Sequence, residues 1–263
     1  MSIIEIDGVK IGYGHAPYVI AELGINHNGS VEEAIKLISS AAQCGAQAVK
    51  LQAFIPEKFL TKYSKYYNDF SKLALKDNEY KQLFEAAAKN RITIFASVFD
   101  FESLEIMENL SCSAYKVASG DITHLPLIKA FASTKKPIIL SSGGATIEEC
   151  KDAINCILSE NAEAQIALLH CISNYPLDIA DANLLVMDTL RKEFDIPIGF
   201  SDHSIGSTVP IAAVGLGANI IEKHFTLNIH AQGLDHALSA DPCVLSSIVQ
   251  GVRVAHLSRG SAK

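Results

Sequence analysis

Residues 196–224, IPIGFSDHSIGSTVPIAAVGLGANIIEKH, decide the fold class. Two short apolar runs, at 196–200 and around 219–224, bracket a Val-, Ile- and Ala-rich stretch long enough for a helix. Neither run alternates polar and apolar residues, as a strand with one wetted face does. Each stays apolar until it ends in a polar group, Ser201-Asp202-His203 or Glu222-Lys223-His224. Strands buried on both faces belong to parallel sheets covered by helices.

The same unit recurs outward from there. Apolar, β-rich runs stand at 19–23, 48–51, 93–97, 115–118, 137–140 and 166–169, with helical patterns between them. Ser30-x-x-Glu33 and Thr146-x-x-Glu149 are capping boxes, Gly45 marks a helix end, and Asp77 and Asp241-Pro242 are further helix starts. Eight strand–helix units in 263 residues predict an α/β fold, a (β/α)8 TIM barrel forming one domain over 1–263. A doubly wound open sheet is the alternative, disfavoured because no GxGxxG follows the first run.

Composition bounds the function. Hydrophobic residues make up 49% of the chain and charged residues 19%, which suits one large core. No apolar run reaches the roughly 20 residues of a membrane span. The opening MSIIEI lacks the basic-then-apolar order of a signal peptide, so the expectation is a cytoplasmic protein without membrane partners. Six cysteines without a CxxC pair read as small core hydrophobes. The net charge of -7 argues against nucleic acid as a partner. It leaves room for a small anionic substrate, because a few converging lysines reverse the local field.

A barrel carries its chemistry at the C-terminal ends of its strands. Seven of the eight runs end in polar clusters there. They supply Glu22 with Asn26-His27-Asn28; Lys50 and Gln52; Lys116, Ser119 and Asp121; Ser141 and Ser142 before Gly143-Gly144; His170, Ser173 and Tyr175; and the two groups already quoted. A lysine inside an apolar strand is costly unless it is paired or serves an anion. Lys50 and Lys116 therefore read either as partners of Glu22, Asp121 or Glu222, or, with Ser119, Ser141 and Ser201, as a phosphate and carboxylate pocket. His203 and His224 end adjacent strands and suit a divalent first-row metal such as manganese, with other ligands from carboxylate, water or substrate. Each also reads as a histidine that merely bonds a neighbour. Glu22 and Glu222 are the carboxylates suited to proton transfer, or else partners of Lys50 or Lys223. His27, His170 and His236 read as loop-fixing groups. The long segment 54–76, with Tyr63, Tyr66 and Tyr67, reads as a lid, a packed insertion or a subunit contact.

These strings resemble the N-acetylneuraminate (sialic acid) synthase family, which includes the pseudaminic and legionaminic acid synthases. The matching strings are AELGINHNG at 21–29, KLQ at 50–52, KVASGD at 116–121, LSSG at 140–143, LHCISNYP at 169–176, GFSDH at 199–203, IEKHFT at 221–226 and GLDHALS at 233–239, in the family's order. The resemblance implies a metal-assisted condensation of phosphoenolpyruvate with the open-chain aldehyde of an N-acetylated amino sugar. It assigns the metal, Mn2+ with Mg2+ or Co2+ as alternatives, to His203 and His224. Lys50, Lys116, Ser119, Ser141, Ser173 and Ser201 become phosphoenolpyruvate contacts, and Glu22, Gln52, Tyr175 and Asp235 sugar contacts; Asp121, within a matched string, is a further substrate-binding candidate. Glu22 or Glu222 would move protons.

Members of that family commonly continue into a small antifreeze-like domain that reaches the partner's active site in a homodimer. This sequence stops at Lys263, so the expectation is the barrel alone, with a homodimer as the assembly the resemblance suggests. Two alternatives stay open at this level: a related condensation using a sugar phosphate, and a barrel that binds ligand without turnover.

Overall fold

The computed structural model describes residues 2–260. A hairpin of β1 (Ile3–Ile6) and β2 (Val9–Gly12) comes first. The strands β3 (Tyr18–Gly24), β4 (Ala48–Ala53), β5 (Thr93–Val98), β6 (Tyr115–Val117), β7 (Ile138–Ser141), β8 (Ile166–Cys171), β9 (Ile198–Asp202) and β10 (Ile220–His224) follow. Among the described residues these eight are parallel and close into a barrel, β10 pairing with both β9 and β3. Closure excludes the open sheet. The chain is a (β/α)8 barrel, and all eight expected runs are its strands.

Helices α1 (Val31–Gln43), α4 (Asp77–Asn90), α5 (Phe101–Asn109), α6 (Leu125–Ser133), α7 (Ile147–Glu160), α8 (Val186–Glu193), α9 (Thr208–Gly215) and α10 (Pro242–Arg259) alternate with the strands and cover them. Their starts follow local chemistry. The Ser30 hydroxyl accepts the Glu33 amide, Thr146 and Glu149 bond each other reciprocally, and the Asp241 carboxylate accepts the Val244 amide with Pro242 at the first helical position. Asp77 is the first residue of α4, with Lys76 ahead of it. After α1 the chain turns at Gly45, whose φ of +86° is the left-handed conformation that glycine adopts most readily.

Two features go beyond the sequence reading. The N-terminal residues form the β1–β2 hairpin, which buries Ile4, Ile6 and Ile11. Its bonds reach Asp195 and Gln165, which precede β9 and β8, so it packs at the N-terminal end of the barrel. The segment 54–76 is a packed insertion carrying α2 (Pro56–Phe59) and α3 (Tyr67–Leu73). Phe54, Phe59, Phe70 and Phe99 pin it down with ring centroids 4.8–6.5 Å apart. Among the described residues no helix is long and apolar enough to cross a membrane.

Candidate active site

The C-terminal ends of the strands surround a cavity of about 230 Å³. Pleating explains its lining. Side chains two apart on a strand share a face, so Lys50 and Gln52 on β4, and Glu222 and His224 on β10, point inward together. Register brings different strands level: Glu22 pairs with both Lys50 and His224, Ser201 with Glu222, and Ser97 with both Gln52 and Lys116.

Of the residues nominated from sequence, Glu22, Lys50, Gln52, Lys116, Ser119, Ser141, Ser173, Tyr175, Ser201, His203, Glu222 and His224 line this cavity. Asp235 stands at its rim, its carboxylate 3.6 Å from His224 Nδ1. Asp121 is not among the residues that line the cavity. It ends the 3-10 turn Ser119–Asp121, whose Ser119 and Gly120 line the cavity. Ser97, Phe99, Ala118, Gly120 and Cys171 also line it and were not nominated. Ser97 was legible in principle, being the polar last residue of the 93–97 run.

The two lysines differ. Lys50 is buried and bridges two carboxylates, 2.5 Å from Glu22 Oε2 and 3.6 Å from Glu222 Oε2, and it donates to Ser97 Oγ at 2.7 Å. Burial lowers its affinity for a proton, but the two carboxylates outweigh that and its pKa is raised. Lys116 is equally buried, yet its ammonium donates only to Ser141 Oγ at 2.5 Å and to Val117 O at 2.9 Å. Among the described residues no carboxylate lies within 4.0 Å of it, and burial depresses its pKa. Burying an ion costs on the order of several kcal/mol, whereas a hydrogen bond to a charged group returns about 1.5–3 kcal/mol. Lys116 feels the Glu222 and Glu22 carboxylates only at a distance and has no ion-pair contact of its own. Beside it, the Ser119 hydroxyl accepts the Gly143 amide at 3.0 Å, and a Cβ on Gly143 would come within 2.5 Å of Ser173 Oγ and 2.6 Å of Ser119 Oγ. Glycine is what lets this wall close so tightly.

The carboxylates are tuned apart. Burial pushes the Glu22 carboxyl up to about 7 against the pull of Lys50. Burial acts on Glu222 too, but Lys50, Lys116 and the Ser201 hydroxyl, which donates to it at 2.9 Å, outweigh it and hold its pKa down to about 2. One carboxyl that retains a proton near neutrality stands beside one that stays ionised. Such a pair is suited to acid–base work.

His203 and His224 have ring centroids 5.5 Å apart, with the half-exposed Tyr175 ring 4.1 Å from His203. His203 Nδ1 lies 2.8 Å from Ile172 O, which can only accept, so in the neutral ring Nε2 carries the lone pair. Burial lowers the pKa of both histidines, that of His224 the further, and His224 Nδ1 is buried without a hydrogen-bond partner. Two neutral imidazoles on one cavity fit a divalent first-row ion. Among the described residues no group of three or more His, Cys, Asp or Glu is arranged to hold a metal. Asp202 directly precedes His203 but does not line the cavity, and its carboxylate pairs with Lys223. His27, His170 and His236 bond the Gly29 amide, Ala182 O and Thr226 with Asn28, respectively, as loop-fixing groups do.

The sequence profile of the NeuB family matches residues 37–263. The chain belongs to the NeuB family. It is 36% identical over 277 residues to the N,N'-diacetyllegionaminic acid synthase of Legionella pneumophila, covering 98% of this chain and 78% of that one. It is 40% identical over 258 residues to the pseudaminic acid synthase of Helicobacter pylori, covering 93% and 76%. The N-acetylneuraminic acid (sialic acid) synthetase of Leptospira borgpetersenii, solved in complex with citrate, superposes with a TM-score of 0.96 at 34% identity, covering 100% of this chain and 91% of that one. This NeuB-family chain is thus an enzyme, a carbon–carbon bond-forming transferase of the synthase type, which removes the binding-only alternative.

Proposed function

We propose that this NeuB-family enzyme condenses phosphoenolpyruvate with the open-chain form of an N-acetylated amino sugar, N-acetylmannosamine or a relative, giving a nonulosonic acid and phosphate. One observation carries the reading: Lys116 is buried with no carboxylate close enough to pair with it, in a wall of hydroxyls, on the same cavity as two neutral imidazoles. A phosphate or carboxylate supplies the missing charge.

In this reading Lys116 holds the anionic substrate, and Ser119, Ser141, Ser173 and Ser201 direct its oxygens. Gln52, Tyr175 and Asp235 contact the sugar. His203 and His224 would hold Mn2+, with Mg2+ or Co2+ as alternatives, and a bound ion supplies Lewis-acid polarisation of the aldehyde oxygen. C3 of phosphoenolpyruvate forms a bond to the aldehyde carbon, whose oxygen takes up a proton. Water adds at C2 and loses one proton; the C2 hydroxyl so formed then becomes the keto oxygen as the C2–O bond to phosphate breaks, its remaining proton leaving with the phosphate. Glu22 is suited to hold the proton that is delivered, and the ionised Glu222 to accept the one released. Lys50 keeps the two carboxylates in place.

Phosphate release from phosphoenolpyruvate tests this, measured with N-acetylmannosamine and Mn2+, without sugar, and with a chelator. Release that needs both sugar and metal is expected. Release with neither, or none with any amino sugar tried, would sink it.

A further inference from the structure

Behind the two imidazoles lies an ion pair that the chemistry above does not use. Asp202 and Lys223 have fully buried side chains, 2.7 Å apart. They are register partners on β9 and β10, and they point away from the cavity that their neighbours Ser201, Glu222 and His224 line. Burying such a pair rarely adds stability over apolar residues of the same size, so its retention calls for another reason.

The bonds around it supply one. Asp202 Oδ1 accepts the Ser204 amide at 2.9 Å, and Lys223 Nζ donates to the carbonyl oxygen of that same residue. The amide and the carbonyl of Ser204, in the two peptide units that flank it, are thereby tied to one ion pair, immediately after His203. On its other side His203 donates its ring Nδ1 hydrogen to Ile172 O, and its carbonyl accepts the Leu177 amide at 2.9 Å. Lys223 adjoins His224. The pair therefore clamps the loop carrying one imidazole to the strand carrying the other.

We propose that Asp202 and Lys223 are positioning residues for the two-imidazole site: they set the separation and aim of His203 and His224, and so the affinity for a divalent ion. This rests on the metal reading given under the proposed function. Partners that orient metal-binding histidines are worth roughly 10–100-fold in metal affinity. A pair kept for stability alone would leave that affinity untouched.

The test uses the full chain and Mn2+ itself, its binding read from loss of the free-ion electron paramagnetic resonance signal. In the double variant Asp202→Leu/Lys223→Met, cooperative thermal unfolding and phosphoenolpyruvate affinity stay near the parent values, while Mn2+ affinity falls roughly 10–100-fold. Parental Mn2+ affinity in the folded variant overturns the proposal. If the double variant does not fold, Asp202→Asn/Lys223→Met, which removes both charges and the Lys223 bond to Ser204 O while leaving an oxygen for the Ser204 amide, is expected to lower Mn2+ affinity in the same direction, and parental affinity in it overturns the proposal. A parent that binds no Mn2+ overturns the metal reading itself; an unaffected variant of a parent that does bind it overturns only the positioning role.

Discussion

Glu22 Oε2 lies 2.5 Å from Lys50 Nζ, between adjacent strands in the floor of the cavity. The contact does not fully compensate the carboxylate, because burial still raises its pKa to about 7. Between about pH 4.5 and 7 the folded chain holds a proton on Glu22 that the unfolded chain has lost, so this group makes stability fall as pH rises through that window. Glu22→Gln should flatten that part of the pH–stability curve, measured by urea denaturation at pH 5, 6 and 7. Equal slopes in variant and parent would show that Glu22 titrates at its ordinary value.

Lys116 sets function against stability. Lys116→Met keeps the length of the side chain and removes a buried charge without a carboxylate partner. We expect a higher Tm than the parent, together with a phosphoenolpyruvate KM raised roughly 10–100-fold, the equivalent of 1.5–3 kcal/mol, and a smaller change for the sugar. An unaltered phosphoenolpyruvate KM counts against Lys116 as the anion's partner.

His203→Ala should abolish metal-dependent turnover while circular dichroism and thermal unfolding remain close to the parent. The ring sits on the cavity rather than in the apolar core, so its loss opens space without breaking the barrel. Unchanged activity at limiting metal would refute its role as a ligand.

Gly143→Ala places a methyl within 2.5 Å of Ser173 Oγ and 2.6 Å of Ser119 Oγ. Both hydroxyls must move off the wall they form. Weaker phosphoenolpyruvate binding is expected, by about tenfold if one charge-assisted bond of roughly 1.5 kcal/mol is lost. Parental affinity would place the phosphate elsewhere.

The sequence by itself determined the barrel and most of its site. Apolar runs that end in polar groups, spaced by capped helices, admit few architectures, and parallel strands carry their chemistry at one end whatever the loops do. Glu22, Lys50, Lys116, His203 and His224 were legible because their residue types are costly in such strands unless they have a use. What sequence could not decide was partnership. Lys50 and Lys116 look alike in the chain, yet one bridges two carboxylates and the other, among the described residues, has none within 4.0 Å. Glu222 and Lys223 are consecutive, yet pleating sends one to the cavity and the other to an ion pair behind it. The reason is physical: charge and exposure are set by neighbours across strands, and inter-strand register is a property of the closed sheet, not of any single run.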